Sequence, residues 1–388
     1  MKINLLIFVL LLIICIVLIN IYFITNNEHY NFIEKNYSNV VVFLISHENS
    51  NTGAPLYLYN LEKFFIKNNI KTELLLLNKF EDKNLIIQHG IKVGPNDIEK
   101  YILDKCEAEN ITPIIICNTI CTYEYLLKLS HLKLNIIWII HEWLIEDYFS
   151  HLFDKIIQIE NANIIFLCNG QKNNNDKYFN SNNNRYVITN GFDPLIFKEQ
   201  QDNKINLIDK IKINNPIIIS IIGTIDKRKN QQDFIDNVFN VLKNKYTNLV
   251  LVLVGQGHHN LKINKNSNSI ILTGLVNNAM SYINESDIIV SHSLNEVLPT
   301  NIIEAMFCSK PIVSSNAGCS SSEVINDVNG YIYYNNNECI KYLSMLIEDK
   351  EKRELMGLNS NKLFYQNFTK ANYNKFFDIF DIILQNNN

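Results

Sequence analysis

Continuous apolar runs that end in loops of small residues limit the fold of this chain more than any other feature. Residues 40–46, 216–223 and 249–255 consist mostly of Val, Ile and Leu. These runs lack polar alternation, and strands of that kind are typical of a parallel sheet buried on both faces. Helical patterns separate the runs, so the sequence predicts an α/β fold.

The runs fall into two series, each of which predicts a parallel sheet. The first series comprises residues 40–46, 73–77, 113–117, 135–140 and 163–168, and the second comprises residues 216–223, 249–255, 270–273, 287–291 and 311–314. A turn-forming cluster at residues 187–194 separates them and predicts a domain boundary. Doubly wound sheets bind ligands at the carboxyl ends of their strands, so we expect the site in a cleft between two such domains.

This pattern gives a division of the chain into segments. Residues 39–192 are predicted to form the first Rossmann-like domain, and residues 193–360 the second. Residues 361–388 continue an aromatic-rich helical pattern, and we expect this C-terminal helix to pack back on the first domain.

The first residues of the chain form a different kind of segment. Residues 3–25 carry no charge, and about 22 helical residues span roughly 33 Å, which is enough to cross a bilayer. We therefore predict a membrane anchor with its short tail at residues 1–26, a stem at residues 27–38 and a single-pass membrane localisation. The flanking charges do not fix the side of the membrane. The alternative is a cleaved signal peptide, but no typical cleavage site follows the run.

Charge and cysteine usage exclude two classes of site. The net charge is −4, so no basic field favours nucleic acid as a partner. The eight cysteines show no framework spacing, which predicts reduced thiols. Cys117 and Cys121 lack a second ligand pair, and zinc is therefore not expected.

The second series contains a stretch that predicts a ligand site directly. Glu296 and Glu304 lie on either side of Pro299, which suits the first turn of a helix because it has no N–H to leave unpaired. The N–H groups of that turn would then form an anion site, namely those of Thr300, Asn301 and Ile302. The two carboxylates can accept hydrogen bonds from hydroxyl groups. An anion and hydroxyl groups at one helix start describe a nucleotide sugar.

This stretch resembles the E-x7-E signature of family-4 glycosyltransferases, which have the GT-B fold. Further elements of that family occur in the same order: Asn190-Gly-Phe-Asp193 with Phe197, the strand at residues 251–257, Gly274-Leu-Val-Asn-Asn, and Pro311-Ile-Val. The resemblance covers roughly residues 40–385 and is strongest over residues 187–330. It implies two Rossmann-like doubly wound domains that face each other across a cleft.

The resemblance also assigns roles to individual residues. Lys229 matches the lysine that binds the donor phosphates, and Thr224 stands where many members have an arginine, so Arg228 is the candidate for that charge. His141 matches a histidine near the donor sugar, and Gly53 resembles a glycine in a phosphate or acceptor loop. The alternatives are a solvated basic turn, a structural histidine and an ordinary turn glycine.

Some residues depart from the family pattern. Val297, Ser309 and Asn230 stand where the family usually has glycine, and the segment from Gly318 to Glu323 is one residue longer than usual. These departures concern the donor-sugar pocket more than the phosphate site.

The implied function is a retaining, hexosyltransferase-type reaction with a glycan, lipid or protein acceptor. Glu296 would bind the donor sugar, Glu304 the ribose, and Lys229 with Arg228 the diphosphate that leaves. No Asp-x-Asp motif is present, so no metal or other cofactor is expected. The alternatives are a catalytically inactive nucleotide- or glycan-binding protein and a nucleotide-sugar epimerase. A dinucleotide oxidoreductase is disfavoured, because no strand leads into Gly-x-Gly-x-x-Gly.

Overall fold

The fold is described from a computed structural model of the chain. It describes residues 37–48, 53–76, 90–132, 134–203, 205, 207, 211–257, 261–263 and 268–385. By its internal contacts the chain divides into two compact units, Met1–Val40 and Val41–Asn388. The strands and helices of both sheets lie in the second unit, except that the first strand begins at Val40.

The first sheet has seven strands in the order β3-β2-β1-β4-β5-β6-β7. Its strands are β1 Val40–Ser46, β2 Lys71–Leu76, β3 Ile91–Lys92, β4 Thr112–Asn118, β5 Asn135–Ile140, β6 Asn163–Phe166 and β7 Asn184–Val187. Strand pairs with a described register are parallel. The reversal between β1 and β4 is the switch point at which doubly wound sheets open a ligand crevice.

The second sheet repeats this order with six strands, β10-β9-β8-β11-β12-β13. The strands are β8 Ile217–Ile222, β9 Leu249–Val254, β10 Ile270–Gly274, β11 Ile288–Ser291, β12 Ile312–Ser315 and β13 Gly330–Tyr333. They are parallel as well. In β8, Ile218 and Ile222 pack into the core on one face, while Ile219 and Ile221 pack into the core on the other. Burial on both faces is the reason for the uninterrupted apolar runs.

Helices connect the strands. In chain order they are α1 Gly53–Lys67, α2 Ile98–Glu109, α3 Tyr123–Leu129, α4 Glu146–Ile156, α5 Asn169–Asn175, α6 Pro194–Asp202, α7 Gln231–Asp233, α8 Asn240–Lys245, α9 Ala279–Asn284, α10 Thr300–Phe307, α11 Ser320–Glu323, α12 Asn336–Glu348, α13 Lys350–Asn367 and α14 Lys375–Gln385. A π-helical segment, Phe234–Phe239, joins α7 to α8. Short 3-10 turns lie at Ile120–Thr122, Asp176–Tyr178 and Lys370–Asn374.

The α/β prediction and its two parallel sheets are confirmed, with differences in detail. Strand β5 has the predicted bounds, whereas the short strands β3, β7 and β13 were not predicted. The long C-terminal helical pattern is divided into α13, a 3-10 turn and α14. The predicted domain bounds at residues 39, 193 and 361 stay a prediction.

The chain crosses between the sheets twice, and the two crossings contact each other. The N–H of Phe192 donates to Phe368 O at 2.8 Å, and the N–H of Lys370 donates to Phe192 O at 3.1 Å. A Cβ on Gly191 would lie 2.9 Å from the Cα of Lys370, so this close approach requires glycine. The Lys370 ammonium also lies 2.8 Å from Asp193, which caps α6.

Helix α14 packs on α1 through aromatic side chains. Phe65 contacts Phe376 and Phe380 with ring centroids 5.7 and 5.4 Å apart, and Phe64 contacts Phe377 at 5.6 Å. These phenylalanines are therefore core residues that hold the end of the chain against the first sheet.

The predicted membrane localisation requires correction. Among the helices within the described ranges, none is both long and apolar enough to cross a bilayer. Helix α13, with 18 residues, has sufficient length, but it is charged and polar along its sequence. Residues 3–25, which carried the prediction, and most of the predicted stem lie outside the described residues.

The expectation of reduced thiols also requires correction, because Cys168 and Cys319 form a disulfide. Their Cα atoms are 6.2 Å apart, a normal separation for this bond. Cys168 follows β6 of the first sheet, and Cys319 follows β12 of the second. The bond therefore joins the carboxyl-end loops of the two sheets across a sequence separation of 151 residues.

Reduction of this disulfide should destabilise the protein. Opening a loop of this length restores entropy to the unfolded chain, and we expect the free energy of unfolding to fall by about 2–5 kcal/mol. Urea unfolding with and without a reductant measures the change. The double variant Cys168→Ser/Cys319→Ser is the matched control and should not respond to the reductant. An equal response of both proteins would contradict the assignment.

Candidate active site

The carboxyl end of β8 leads into a turn that presents two cations. The side-chain carboxylate of Asp226 accepts a hydrogen bond from the N–H of Lys229 at 2.7 Å, which closes the turn. The Lys229 side chain folds over Gly223, where a Cβ would lie 3.3 Å from Lys229 Cε. Gly223 also has a φ of 137°, so both its backbone conformation and its contact with Lys229 favour glycine at this position.

Both cations contact one carboxylate. Lys229 Nζ lies 2.5 Å from Glu296 Oε1, and Arg228 Nη1 lies 2.6 Å from the same oxygen. The side chains of Lys229 and Glu296 are only 12% and 10% exposed, whereas that of Arg228 is 50% exposed. The predicted sugar-binding carboxylate is therefore in ion-pair contact with both predicted phosphate-binding cations.

Backbone contacts join the two loops that carry these groups. The N–H of Leu294 donates to Arg228 O at 2.8 Å, and Arg228 Nη1 donates to Asn295 O at 3.2 Å. The loop after β11 thus follows the basic turn closely, so the position of Glu296 depends on that of Arg228.

Glu304 is close enough to Lys229 to feel its charge. Burial raises the pKa of Glu304 to about 7, and the charge of Lys229 opposes this increase. Near neutral pH this carboxyl group is therefore protonated in some molecules and ionised in others. Both forms accept hydrogen bonds from hydroxyl groups.

The start of α10 differs from the prediction in two details. Pro299 is the N-cap, with a φ of −70° and a ψ of 103°, and Thr300 is the first helical residue. The N–H of Ile302 donates to Pro299 O at 3.0 Å, so it is not available to an anion as predicted. Asn301 is buried and donates to Ile222 O at 3.3 Å, while its Oδ1 has no hydrogen-bond partner in the structure.

The departures from the family's glycines have a structural explanation. Asn230 and Ser309 both have a φ of 57°, the left-handed region in which glycine is most easily accommodated. The backbone therefore keeps the shape that glycine would give. Val297 has a different role, because its carbonyl accepts from the N–H of Cys319 at 3.0 Å.

His141 stands at the carboxyl end of β5, at the edge of the first sheet. Its Nε2 lies 2.8 Å from Asn118 Oδ1. Its ring packs in a T-shaped arrangement against the ring of Tyr57, with the centroids 5.0 Å apart. Burial, with a smaller effect of the nearby His47, lowers the pKa of His141 to about 3. The imidazole is therefore neutral at physiological pH and can donate or accept a hydrogen bond.

Glu142 fixes the backbone around His141. Its Oε2 accepts from the N–H groups of Ile120 and His141, each at 3.0 Å. Glu142 thereby joins the loop after β5 to the turn after β4. Burial raises the pKa of Glu142 to about 7, and the backbone hydrogen bonds oppose this increase.

A chain of close contacts links the loops of the two sheets. A Cβ on Gly170 would lie 3.7 Å from Trp143 and 3.8 Å from Gly318 O. A Cβ on Gly318 would in turn clash with the backbone of Glu296 at 1.4 Å, and its φ is 58°. The loop of His141 and the loop of Glu296 therefore meet beside the disulfide, as expected for a site between two sheets.

Gly53 is the first residue of α1, and its surroundings are open. A Cβ there would meet no atom within 4 Å among the described neighbours. Packing within the chain therefore does not explain this glycine, and its predicted role at a phosphate or acceptor stays a prediction.

Sequence reasoning missed a buried polar group behind the glutamate loop. His292 directly follows β11, and its two ring nitrogens lie 2.8 Å from Asp233 and 2.5 Å from the hydroxyl of Tyr333. A histidine two residues after a buried apolar run was the available signal. This group ties the loop that carries Glu296 to α7, which follows the basic turn.

Comparison with known proteins identifies the second sheet and its helices. Residues 197–363 match the family of glycosyl transferases group 1. An uncharacterised glycosyltransferase of Methanocaldococcus jannaschii is 28% identical over 47% of this chain and 49% of its own length. A trehalose synthase of Thermococcus litoralis is 26% identical over 39% of this chain and 40% of its own length. The chain thus spans about half the length of the curated relatives it matches, or less.

Solved structures extend the similarity to the whole fold. HepE of Anabaena, in complex with UDP-glucose, has a TM-score of 0.69 at 18% identity over 89% of this chain and 99% of its own. Sucrose-phosphate synthase of Thermosynechococcus elongatus has a TM-score of 0.70 at 14% identity over the same shares. These structures confirm the predicted GT-B fold with two Rossmann-like, parallel-sheet domains.

The low pKa of His141 predicts a dependence of stability on pH. An unfolded histidine has a pKa of 6.5, against about 3 in the folded protein. Between these values the unfolded chain binds one more proton, so stability is lost as the pH falls, by about 1.4 kcal/mol per pH unit. At pH 6.5 the unfolded histidine is half protonated, so compared with His141→Gln the wild type should lose about 1 kcal/mol between pH 6.5 and 5.5 in urea unfolding. A difference between the two proteins that does not change with pH would contradict this account.

Proposed function

We propose that the chain is a family-4 glycosyltransferase that transfers a sugar from a nucleoside diphosphate sugar to a hydroxyl group with retention of configuration. The observation that carries the proposal is the contact of Lys229 and Arg228 with Glu296 at the carboxyl ends of the second sheet. Cations for a diphosphate and a carboxylate for hydroxyl groups are the two chemistries that such a donor needs. The group 1 glycosyltransferase match over residues 197–363 supports the same reading.

The roles of the residues follow from charge and position. Lys229 and Arg228 hold the diphosphate and stabilise the charge that grows on it as the glycosidic bond breaks. The free N–H groups at the start of α10, next to Pro299, assist them: those of Thr300 and Asn301. Glu304 accepts from the ribose hydroxyl groups, and Glu296 accepts from the hydroxyl groups of the sugar.

Donor binding requires an exchange of partners. In the free protein the oxygen of Glu296 occupies the position beside both cations. The diphosphate carries more charge than one carboxylate, so it replaces Glu296 at Lys229 and Arg228. Glu296 is thereby released to bind the sugar next to the phosphate. After the exchange the diphosphate has the two cations as partners, and Glu296 has the hydroxyl groups of the sugar.

His141 supplies a neutral polar group from the opposite loop. Its low pKa prevents it from carrying a positive charge, and its ring is held by Asn118 and Tyr57. We assign it to orient the sugar near the reacting carbon. The leaving phosphate takes the proton of the acceptor hydroxyl, so the scheme needs no paired carboxylates on either side of the bond. The acceptor is a glycan, lipid or protein hydroxyl, and the scheme includes no metal.

The proposal predicts a specific loss on removal of one charge. With the purified chain and a panel of UDP-, GDP- and ADP-sugars, one donor should release its nucleotide. Lys229→Met should reduce this rate roughly 10²-fold, because the diphosphate loses its most buried cation. The matched control is Lys227→Met, since Lys227 is exposed in the same turn. In the transfer product, NMR should detect the anomeric configuration of the donor.

Three results would contradict the proposal. If Lys227→Met and Lys229→Met lost activity equally, the buried lysine would have no special role. If the wild type bound a nucleotide sugar but released no nucleotide with any acceptor, the inactive binding protein would be the better reading. Conversion of the donor to another sugar nucleotide without an acceptor would instead favour the epimerase.

A further inference from the structure

Glu323 is a buried carboxyl group that lacks a hydrogen-bond partner. It is the last residue of α11 and is 1% exposed. Neither Oε1 nor Oε2 has a partner in the structure. Its backbone is held, because Asn329 Nδ2 donates to Glu323 O at 3.0 Å. Buried polar atoms are nearly always hydrogen-bonded, so an orphan of this kind points to a partner that the free chain does not contain.

The charged neighbours of Glu323 belong to the candidate active site. Burial and the charge of Glu296 raise the pKa of Glu323 well above its ordinary value, and Lys229 opposes them. This shift favours the protonated form of Glu323. A protonated carboxyl group has one O–H donor, which a carboxylate lacks.

The backbone fixes this arrangement. Gly318 lies against the backbone of Glu296, and the N–H of Cys319 donates to Val297 O at 3.0 Å. Helix α11 begins at the next residue and ends at Glu323. The two sequence departures, Val297 and the extra residue between Gly318 and Glu323, therefore occur in segments that contact each other. Together they set where Glu323 lies relative to Glu296.

We propose that Glu323 binds a hydroxyl group of the donor sugar next to the one bound by Glu296. This inference rests on the proposed function and extends it to recognition of the sugar. When the diphosphate binds Lys229 in place of Glu296, the carboxyl groups of Glu296 and Glu323 lose this cation as a neighbour. Both groups then contact the sugar instead. Glu296 accepts a hydrogen bond from one hydroxyl group, and the carboxyl group of Glu323 forms a hydrogen bond with the other. The substrate class is thus a nucleoside diphosphate sugar with two adjacent free hydroxyl groups.

Two variants of Glu323 test this inference. Glu323→Gln keeps the shape and a neutral N–H donor, whereas Glu323→Leu has a similar volume without polar atoms. Calorimetric titration gives the affinity for UDP-glucose, or for the donor found in the panel, and for its free nucleoside diphosphate. We expect Glu323→Leu to weaken binding of the sugar donor about tenfold with little change for the free nucleotide. Glu323→Gln should bind both ligands within about threefold of the wild type.

Unfolding of the free protein separates this role from a structural one. The leucine removes two unpaired buried oxygens, so the urea midpoint of Glu323→Leu should be equal to or above that of the wild type. A lower midpoint with equal losses for both ligands would overturn the inference in favour of a structural role. Unchanged sugar-donor binding in Glu323→Leu, or a loss in Glu323→Gln as large as in Glu323→Leu, would overturn it as well. A wild type that binds no nucleotide sugar would overturn the proposed function itself, and that result is visible before any variant is made.

Discussion

The ion pair between Lys229 and Glu296 is the interaction on which the arrangement of the site depends. It joins the loop after β8 to the loop after β11, and Arg228 strengthens it at 2.6 Å from the same oxygen. Both partners of the pair are nearly buried, so removing either would leave a charge without adequate solvation. A ligand that binds the lysine in place of the glutamate must therefore also provide hydrogen-bond partners for the glutamate. A diphosphate attached to a sugar meets both requirements.

The rest of the fold holds these two loops and the opposite edge in place. Gly318 and Cys319 join the glutamate loop to the region after β12, and the disulfide to Cys168 continues this connection to the first sheet. His292, Asp233 and Tyr333 support the glutamate loop from behind. The crossing of the chain at Phe192 and Phe368 adds a second connection between the sheets. Elements far apart in sequence thus converge on one short segment.

The sequence predicted what depends on local pattern. The α/β class, the two sheets and the bounds of β5 followed from buried apolar runs. The resemblance to family-4 glycosyltransferases pointed to Lys229, Arg228, Glu296 and Glu304, whose roles stay a prediction, and the first three are in contact. Asn230 and Ser309 occupy positions at which the family usually has glycine, and both have the left-handed backbone that glycine adopts most easily.

What the sequence did not predict depends on contacts between distant segments. The disulfide spans 151 residues and has no spacing signal. The break between α13 and α14 contains neither proline nor glycine, and it is fixed by hydrogen bonds to Phe192. The lack of a hydrogen-bond partner for the Glu323 carboxyl group can be recognised only from the structure around it, because a glutamate in a helical pattern is usually solvated.

The affinity of the Glu296→Gln variant for free UDP, or for the nucleoside diphosphate of the donor found in the panel, tests the exchange of partners most directly. In the wild type this nucleotide must displace Glu296 from Lys229 and Arg228, and it contains no sugar for the glutamate to bind. Removing the charge of Glu296 should therefore strengthen binding of the free nucleotide in a calorimetric titration, about tenfold if one charge-assisted contact no longer competes. An affinity that is unchanged or weaker in Glu296→Gln would contradict the account.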